Sequence, residues 1–354
     1  MALNLARLQR MAAGVIVPYT QEHAAAHAEF AARMWPKNER RRSSNYNRWK
    51  YRAPNRGCVE RHLLALWDGK VVGQVGMTPV QAHVGGRQVA AKWICDFMVD
   101  PDYRFRGFAP LLMAQAINTP GLTLGDNPTE MLTPVVKGFG FREFAAPYKM
   151  LLPLNAAQIL SWKLPQKFRW LIPAVALLTR PFLKWRARKL LSRSLGKMAT
   201  PCRWDDLLEL VSRRQRDLDV PHVVHDRSFL EWRCPGAPGF SKEMRGLRTA
   251  SGGYLLWGDD HPDRYDPDVH VFDWSAANAD DCQALFSGVC QAAEELGART
   301  ISVLVNTPQE QAWLRNLGFL KVPTPVKVFC YPPQQIPSDM HRFHFCHYDA
   351  HADL

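Results

Sequence analysis

The segment that most constrains this chain runs through Trp93-Ile94-Cys95-Asp96-Phe97-Met98-Val99 into Asp100-Pro101-Asp102-Tyr103-Arg104-Phe105-Arg106-Gly107-Phe108-Ala109. It continues as Pro110-Leu111-Leu112-Met113-Ala114-Gln115-Ala116. The pattern predicts a strand, a turn marked by proline, a basic loop with one glycine, and a helix. Free backbone N–H groups and the helix dipole at such a junction make a site for an anion. Gly107 and the small Ala109 let a phosphate approach the backbone, and Arg104 and Arg106 supply charge. An ordinary strand-turn-helix with a solvated basic turn has the same composition, so context must decide between them.

This segment resembles the acyl-CoA loop of the GNAT acetyltransferase superfamily. The family pattern, Gln/Arg-x-x-Gly-x-Gly/Ala, is met by Arg104, Gly107 and Ala109, after Val99-x-Pro101. The resemblance implies an acyl-CoA co-substrate, acetyl-CoA or another, and transfer of the acyl group to an amine. It also implies that backbone groups at Met98 and Val99, and from Phe105 through Arg106, Gly107 and Phe108 to Ala109, hold the donor beside Arg104.

Transfer to an amine requires a polarised thioester carbonyl, a base for the amine and a proton for the departing thiolate. Asp96 is the candidate base, since it interrupts an apolar strand and burial raises a carboxyl. The alternative is a structural Asp96 paired with an arginine or with the Tyr51-Arg52 segment. Asn127 matches the family's asparagine, but the family's acid tyrosine falls near Pro134 and Val135. Tyr148, Tyr103 and Glu130 are substitutes for the acid, and water can also protonate the thiolate.

At 354 residues the chain suits two domains, and 47% hydrophobic residues can support two cores. A net charge of +12 favours anionic partners such as CoA phosphates, nucleic acid or an acidic membrane. The eight cysteines form no C-x-x-C pair, which reads as reduced thiols in a cytosolic protein. The run Val15 to Val17 goes straight into Pro18 and a helical pattern and is read as a first strand rather than a signal peptide.

Gln21 to Trp35 reads as a helix. His62 to Trp67 and Val71 to Met77 flank Asp68-Gly69 as a hairpin. Gln81 to Val84 and Gln88 to Trp93 flank Gly85-Gly86 as another. After the loop and helix, Leu122 to Leu124 is a strand, and Gly138-Phe139-Gly140-Phe141 opens a last strand pair. This is the order of a GNAT domain, over 14–153.

A second unit, 201–332, repeats the first at an offset of about 180 residues. Trp232-Arg233-Cys234-Pro235 answers Tyr51-Arg52-Ala53-Pro54, the strand around Asp273 answers that around Asp96, and Gly318-Phe319 answers Gly140-Phe141. Helix Gln309 to Asn316, with Asn306 before it, resembles the closing helix of the same family. After Asp273, however, Trp274 to Asp281 is acidic and lacks the Arg-x-x-Gly-x-Ala pattern, so this unit is expected to be a degenerate partner without acyl-CoA. The predicted class is therefore α+β, with two tandem GNAT-like domains, each a mixed, mostly antiparallel sheet flanked by helices.

The basic linker, 154–200, has ten lysines and arginines between Ala156 and Met198, no acidic residue, and Trp162, Phe168, Trp170, Phe182 and Trp185 among leucines. Its apolar run, broken by Pro173, is far shorter than the roughly 20 residues that span a bilayer. It reads as a segment lying on an anionic membrane or as a linker packed on both domains; nucleic acid is the weaker partner. The tail, 333–354, with His344, His347 and His351 among aspartates, reads as a packed or solvated end, and no metal site is expected. His83, His222 and His225 show no ligand spacing.

Trp49-Lys50-Tyr51 before Pro54, and the closing Asp349-x-x-x-Asp353, resemble tandem GNAT proteins of bacterial polysaccharide pathways. The implied protein is cytoplasmic, peripheral at the inner membrane, with a small-molecule or lipid-linked amine such as an amino sugar as acceptor. A Fem-type transferase using aminoacyl-tRNA and a non-catalytic CoA-binding scaffold are the alternatives; the Arg-x-x-Gly-x-Ala loop speaks against the first.

Overall fold

A computed structural model describes residues 6–7, 11, 15–36, 39–51, 62–144, 147–154, 160, 164–191, 199–234, 244–260, 268–323, 326–338 and 342–346. Arg52 to Pro54, Cys58, Pro235 and His347 to Leu354 lie outside them, as do the two ends of the basic linker.

The first unit begins with β1 (Ile16–Pro18), a helix over Ala24–Met34 and short helices over Glu39–Arg42 and Ser44–Tyr51. Then come β2 (His62–Trp67), β3 (Lys70–Val84) and β4 (Arg87–Val99). The sequence suggested four shorter segments where β3 and β4 stand as two long strands. Proline does not interrupt β3 because β2 ends its pairing at Gly76, so Pro79 lies on an open edge, where a missing N–H is tolerated. The helix Phe108–Asn118 follows, then β5 (Leu122–Asp126), the helix Thr133–Gly138, β6 (Arg142–Glu143) and β7 (Tyr148–Pro153).

A helix over Ile172–Leu191, with Pro181 inside it, leads to β8 (Thr200–Cys202), the helix Trp204–Arg216, β9 (His222–Val223) and the helix Arg227–Arg233. Next are β10 (Arg245–Arg248), β11 (Tyr254–Asp260), β12 (Asp268–Ser275), the helix Ala279–Glu295, β13 (Thr300–Val305), the helix Pro308–Asn316, β14 (Leu320–Lys321) and β15 (Val328–Tyr331). Among the described residues no helix is long and apolar enough to cross a membrane.

The strands form two mixed sheets. One runs β1-β2-β3-β4-β5-β15-β6, with β9 beside β3; the other runs β14-β7-β13-β12-β11-β10-β8. The sheets therefore do not divide at 153 and 332 as the chain order suggests. β7 pairs with β13, and β15 returns to pair with β5 and β6. The strand pair expected after Gly138 is split between the two sheets. β6 is only the charged pair Arg142–Glu143 and sits at the edge beside β15, whereas the apolar β7 takes the open edge of the other sheet beside β13.

Five layers result. The helix Phe108–Asn118 packs its Leu111, Leu112 and Met113 on one outer face, against Val72, Val75 and Met77. The helix Ala279–Glu295 packs Leu285, Phe286 and Val289 on the other, against Leu255, Val271 and Val303. Between the sheets lies one shared core, where Trp93 and Leu124 meet Phe229, Leu256, Phe272 and Phe345. The C-terminal residues Phe343 and Phe345 pack on Trp93, at 6.2 and 5.5 Å between ring centroids, so this part of the tail is a packed end.

Candidate active site

β4 and β5 run parallel and pair only from Ala91 to Trp93, opposite Leu122 to Leu124. Beyond that they part. The cause lies on the other side of β4, where its register with β3 slips between Cys95 and Met98. Asp96 occupies the extra position with φ +47°, and the bulge bends β4 away from its neighbour. From Ile94 to Val99 the cleft-facing edge of β4 has no strand partner among the described residues.

Two adjoining cavities fill this cleft. The outer one, about 570 Å³, is lined by Met98, Val99, Arg104, Phe105, Gly107, Phe108 and Ala109, with Met131, Leu132 and Val135 opposite. Gly107 sits at φ +89° just before the helix Phe108–Asn118, a conformation that a side chain disfavours. The amides of Phe108 and Ala109 open the first turn, where no intrahelical carbonyl precedes them. Phe105 projects into solvent at 96% exposure. Arg104 donates to the Val99 carbonyl at 3.5 Å. Of the residues expected to hold the donor, Arg106 alone does not line the cavity; its guanidinium lies 5.2 Å from the ring centroid of Tyr103, which does.

The inner cavity, about 220 Å³, shares Phe97, Met98, Thr129 and Leu132 with the outer one. Arg41, Asp96, Asp126 and Asn127 are its polar lining. Asp96 is buried and accepts from Lys50 Nζ at 2.8 Å and from the Tyr51 hydroxyl, with Arg41 at 3.6 Å. A methyl group at Gly76 would overlap the Tyr51 ring, so the bare backbone there seats this tyrosine. Burial alone would raise the Asp96 carboxyl. The Lys50 ammonium and Arg41 guanidinium, with the hydrogen bonds from Lys50 and Tyr51, outweigh it and hold the group well below the usual carboxylate range. Asp96 therefore has the environment of an ion-paired anchor and is a poor proton acceptor. This environment is that of the alternative reading, a structural Asp96 paired with an arginine and with Tyr51; Lys50 is the partner that reading did not name.

Asn127, at φ +38°, accepts from the Lys327 amide at 3.0 Å through its side-chain carbonyl and so fixes the end of β5 to the approach to β15. Its amide donates to Asp126 Oδ2 at 3.3 Å, and the Trp93 indole donates to Asp126 Oδ1 at 3.0 Å. Asp126 thus stands across the cleft from Asp96, aimed by two donors. Sequence reasoning passed over it; the signal was an acidic residue ending an apolar strand directly before Asn127. Tyr148 and Glu130 line neither cavity, whereas Tyr103 lines the outer one.

The matching cleft of the second unit is closed. β12 also bulges, between Asp273 and Val271, and pairs with β13 only at Val269 and His270. Here the Trp274 indole crosses the gap and donates to the Leu304 carbonyl at 3.0 Å. The following helix is capped by Asn278, whose side chain accepts from the Asp281 amide. Its first turn is occupied by the chain's own side chains.

The first unit thus has a splayed parallel strand pair with a glycine-capped loop and helix beside it. Residues 16–120 match the family model of the acetyltransferase (GNAT) domain. Among solved structures, the chain is similar to a GCN5-related N-acetyltransferase from Kribbella flavida, at 17% identity and TM-score 0.55, over 89% of this chain and 70% of that one. It is similar to a GCN5-related N-acetyltransferase from Anabaena variabilis, at 11% identity and TM-score 0.57, over 89% and 71%. It is also similar to N-myristoyltransferase from Saccharomyces cerevisiae with bound myristoyl-CoA, at 12% identity and TM-score 0.52, over 81% and 73%. At these identities the likeness is one of fold. No curated protein matches the chain. Residues 16–120 are thus those of an acetyltransferase (GNAT) domain, and the fold is shared with these structures.

Proposed function

We propose that this chain is a tandem GNAT enzyme that transfers a short acyl group from acyl-CoA to an amine in the β4–β5 cleft of its first unit. The observation that carries the reading is that the two cavities adjoin, with Phe97, Met98, Thr129 and Leu132 lining both. One end meets the Gly107 loop, which suits a pyrophosphate; the other meets a carboxylate, which suits an amine. The inner volume of about 220 Å³ suits a short acyl group and an amine head better than a fatty chain. The second unit, with its plugged cleft, serves as a partner that supplies packing and β7's sheet.

In this reading the pantetheine arm lies along the unpaired edge of β4, and the thioester carbonyl meets a backbone N–H between Phe97 and Val99. The amine nitrogen attacks the carbonyl carbon, forming the C–N bond. Asp126 takes the proton that the amine loses. The C–S bond breaks, and the CoA thiolate takes a proton from water. Asp96 acts through Lys50, Tyr51 and Arg41 to hold the bulge, as a positioning residue.

The basic linker places the enzyme on an anionic membrane. Trp170, Leu177 and Leu178 are 74, 70 and 78% exposed, beside the exposed Lys167, Arg169 and Arg180. A lipid-linked amino sugar is the acceptor that fits such a location and the resemblance of the Trp49–Pro54 segment.

Calorimetry with acetyl-CoA and CoA, on the intact protein and on Gly107→Glu, tests the reading. Binding to the intact protein that is lost in the folded variant is the expected result. A folded intact protein that binds neither ligand overturns it.

A further inference from the structure

Among the described residues, one concentrated set of metal-capable side chains stands apart from the cleft. His225, Asp273 and Cys346 are fully buried, and one donor atom of each lies within 4.8 Å of the other two. His225 Nδ1 is 3.8 Å from Asp273 Oδ2, and Cys346 Sγ is 3.2 Å from Asp273 Oδ1. His344 Nε2 lies 3.4 Å from the same sulfur. The group is assembled from three distant parts of the chain: the turn before the helix Arg227–Arg233, the bulge of β12, and the C-terminal segment.

We propose that His225, Asp273 and Cys346, joined by His344, form a buried structural site for a divalent transition metal of the zinc class. Tetrahedral zinc takes imidazole nitrogen, carboxylate oxygen and thiolate sulfur at roughly 2.0 to 2.3 Å, which places neighbouring donors about 3 to 4 Å apart. The three distances above fall in that range. Binding converts the Cys346 thiol to a metal thiolate and releases its proton to solvent, so one thiolate and one carboxylate balance the charge of the ion. Asp273 is oriented from outside the set by the Tyr254 hydroxyl at 3.0 Å and by the Trp274 amide at 2.8 Å, the kind of support that ligating carboxylates have.

The internal repeat sharpens the argument. Asp96, in the bulge of the corresponding strand of the first unit, faces the permanent cations of Lys50 and Arg41, and Asp273 stands directly after the bulge of β12. Asp273 faces an imidazole and a thiol in their place. A metal there would clasp the C-terminal segment to β12, and that segment packs Phe343 and Phe345 on Trp93 of the first sheet.

The test uses the untagged full chain. Zinc content is measured by plasma mass spectrometry after dialysis. The protein is then stripped with a chelator and titrated with Co²⁺. The expected result is about one equivalent of metal and a thiolate-to-cobalt absorption band in the near ultraviolet. Cys346→Ser is expected to lose the band, and Asp273→Asn to weaken binding at least about tenfold. Circular dichroism checks the fold of each variant, and the stripped wild type gives a readout free of any substitution. A folded wild type that takes up neither zinc nor cobalt overturns the site. So does a cobalt band that survives Cys346→Ser but is lost when His347 and His351 are replaced.

Discussion

The indole of Trp49 donates to the backbone carbonyl of Trp232 at 3.2 Å, and the indole of Trp232 donates to the carbonyl of Trp49 at 3.0 Å. Their ring centroids are 5.7 Å apart, and the Arg233 guanidinium lies over both rings. Each residue lies in a short helix ahead of the strands of its unit, among them the one with Asp96 or Asp273. The pair therefore joins equivalent points of the two units across the shared core. Trp49→Phe and Trp232→Phe should each lose a hydrogen bond, about 1 kcal/mol, while Trp49→Ala should cost about 3 to 5 kcal/mol. Because the two bonds share one geometry, the double Phe variant should fall short of the sum by about 0.5 kcal/mol or more in denaturant melts. Strict additivity would show that the pair does not act as a unit.

The two carboxylates of the cleft should separate in kinetics. Asp126→Asn should fold normally and lower kcat by about 10²- to 10⁴-fold, with loss of the acidic limb of the pH profile. Asp96→Asn leaves the Lys50 ammonium buried without its anion, at about 3 to 5 kcal/mol of stability. The protein that remains folded should keep the acidic limb. An acidic limb that vanishes with Asp96 and persists with Asp126 removed would reverse the assignment.

The exchange of β7 and β15 makes the units interdependent. A fragment of residues 1–155 carries β1 to β7 but lacks β15, which pairs with both β5 and β6. It also exposes the first sheet's half of the shared core. The fragment alone should be unfolded or aggregated by circular dichroism and limited proteolysis, and co-expression with residues 156–354 should restore a stable complex. A fragment that melts cooperatively by itself would show that β15 is dispensable.

Alkaline stability should report the buried thiols. Burial pushes Cys95, Cys234 and Cys330 up to about 12. A thiol raised in the folded state holds its proton there after the unfolded chain has lost it. Its contribution is fully present below the ordinary thiol value, near pH 9, and is lost as pH rises from there to about 12. Each thiol so raised removes about 1.4 kcal/mol per pH unit in that window. Cys330→Ala should flatten the fall in unfolding free energy between pH 9 and 10.5, whatever it does to the stability at pH 7. An unchanged slope would mean that Cys330 ionises as freely in the fold as outside it.

The basic linker gives a surface prediction. The protein should cosediment with vesicles containing phosphatidylglycerol and not with phosphatidylcholine alone, and salt should weaken the interaction. Trp170→Glu with Leu178→Glu should abolish it without moving the melting temperature. Retention by both kinds of vesicle, or by neither, would assign this face to something other than anionic lipid.

Much of the first unit was written locally. Asp68-Gly69 fixed a hairpin because that pair accepts positive φ, and both residues adopt it, at 48° and 74°. The loop from Val99 to Ala109 was legible because a turn and a helix start depend on neighbours in the chain. The repeat at about 180 residues announced two similar units, and each of its two aspartates stands at a bulge, Asp96 within that of β4 and Asp273 directly after that of β12. The sequence alone thus determined the strand-loop-helix unit, the order of elements and the presence of two sheets. Only the tertiary structure decided that β7 and β15 change places, that Lys50 and Arg41 neutralise Asp96, that Asp126 faces the cleft, and that Trp274 closes the second one. Those outcomes depend on sheet edges and core faces contributed by distant stretches of the chain. Local periodicity sets which side of a strand is apolar, but the energy of burying that side depends on what arrives to cover it.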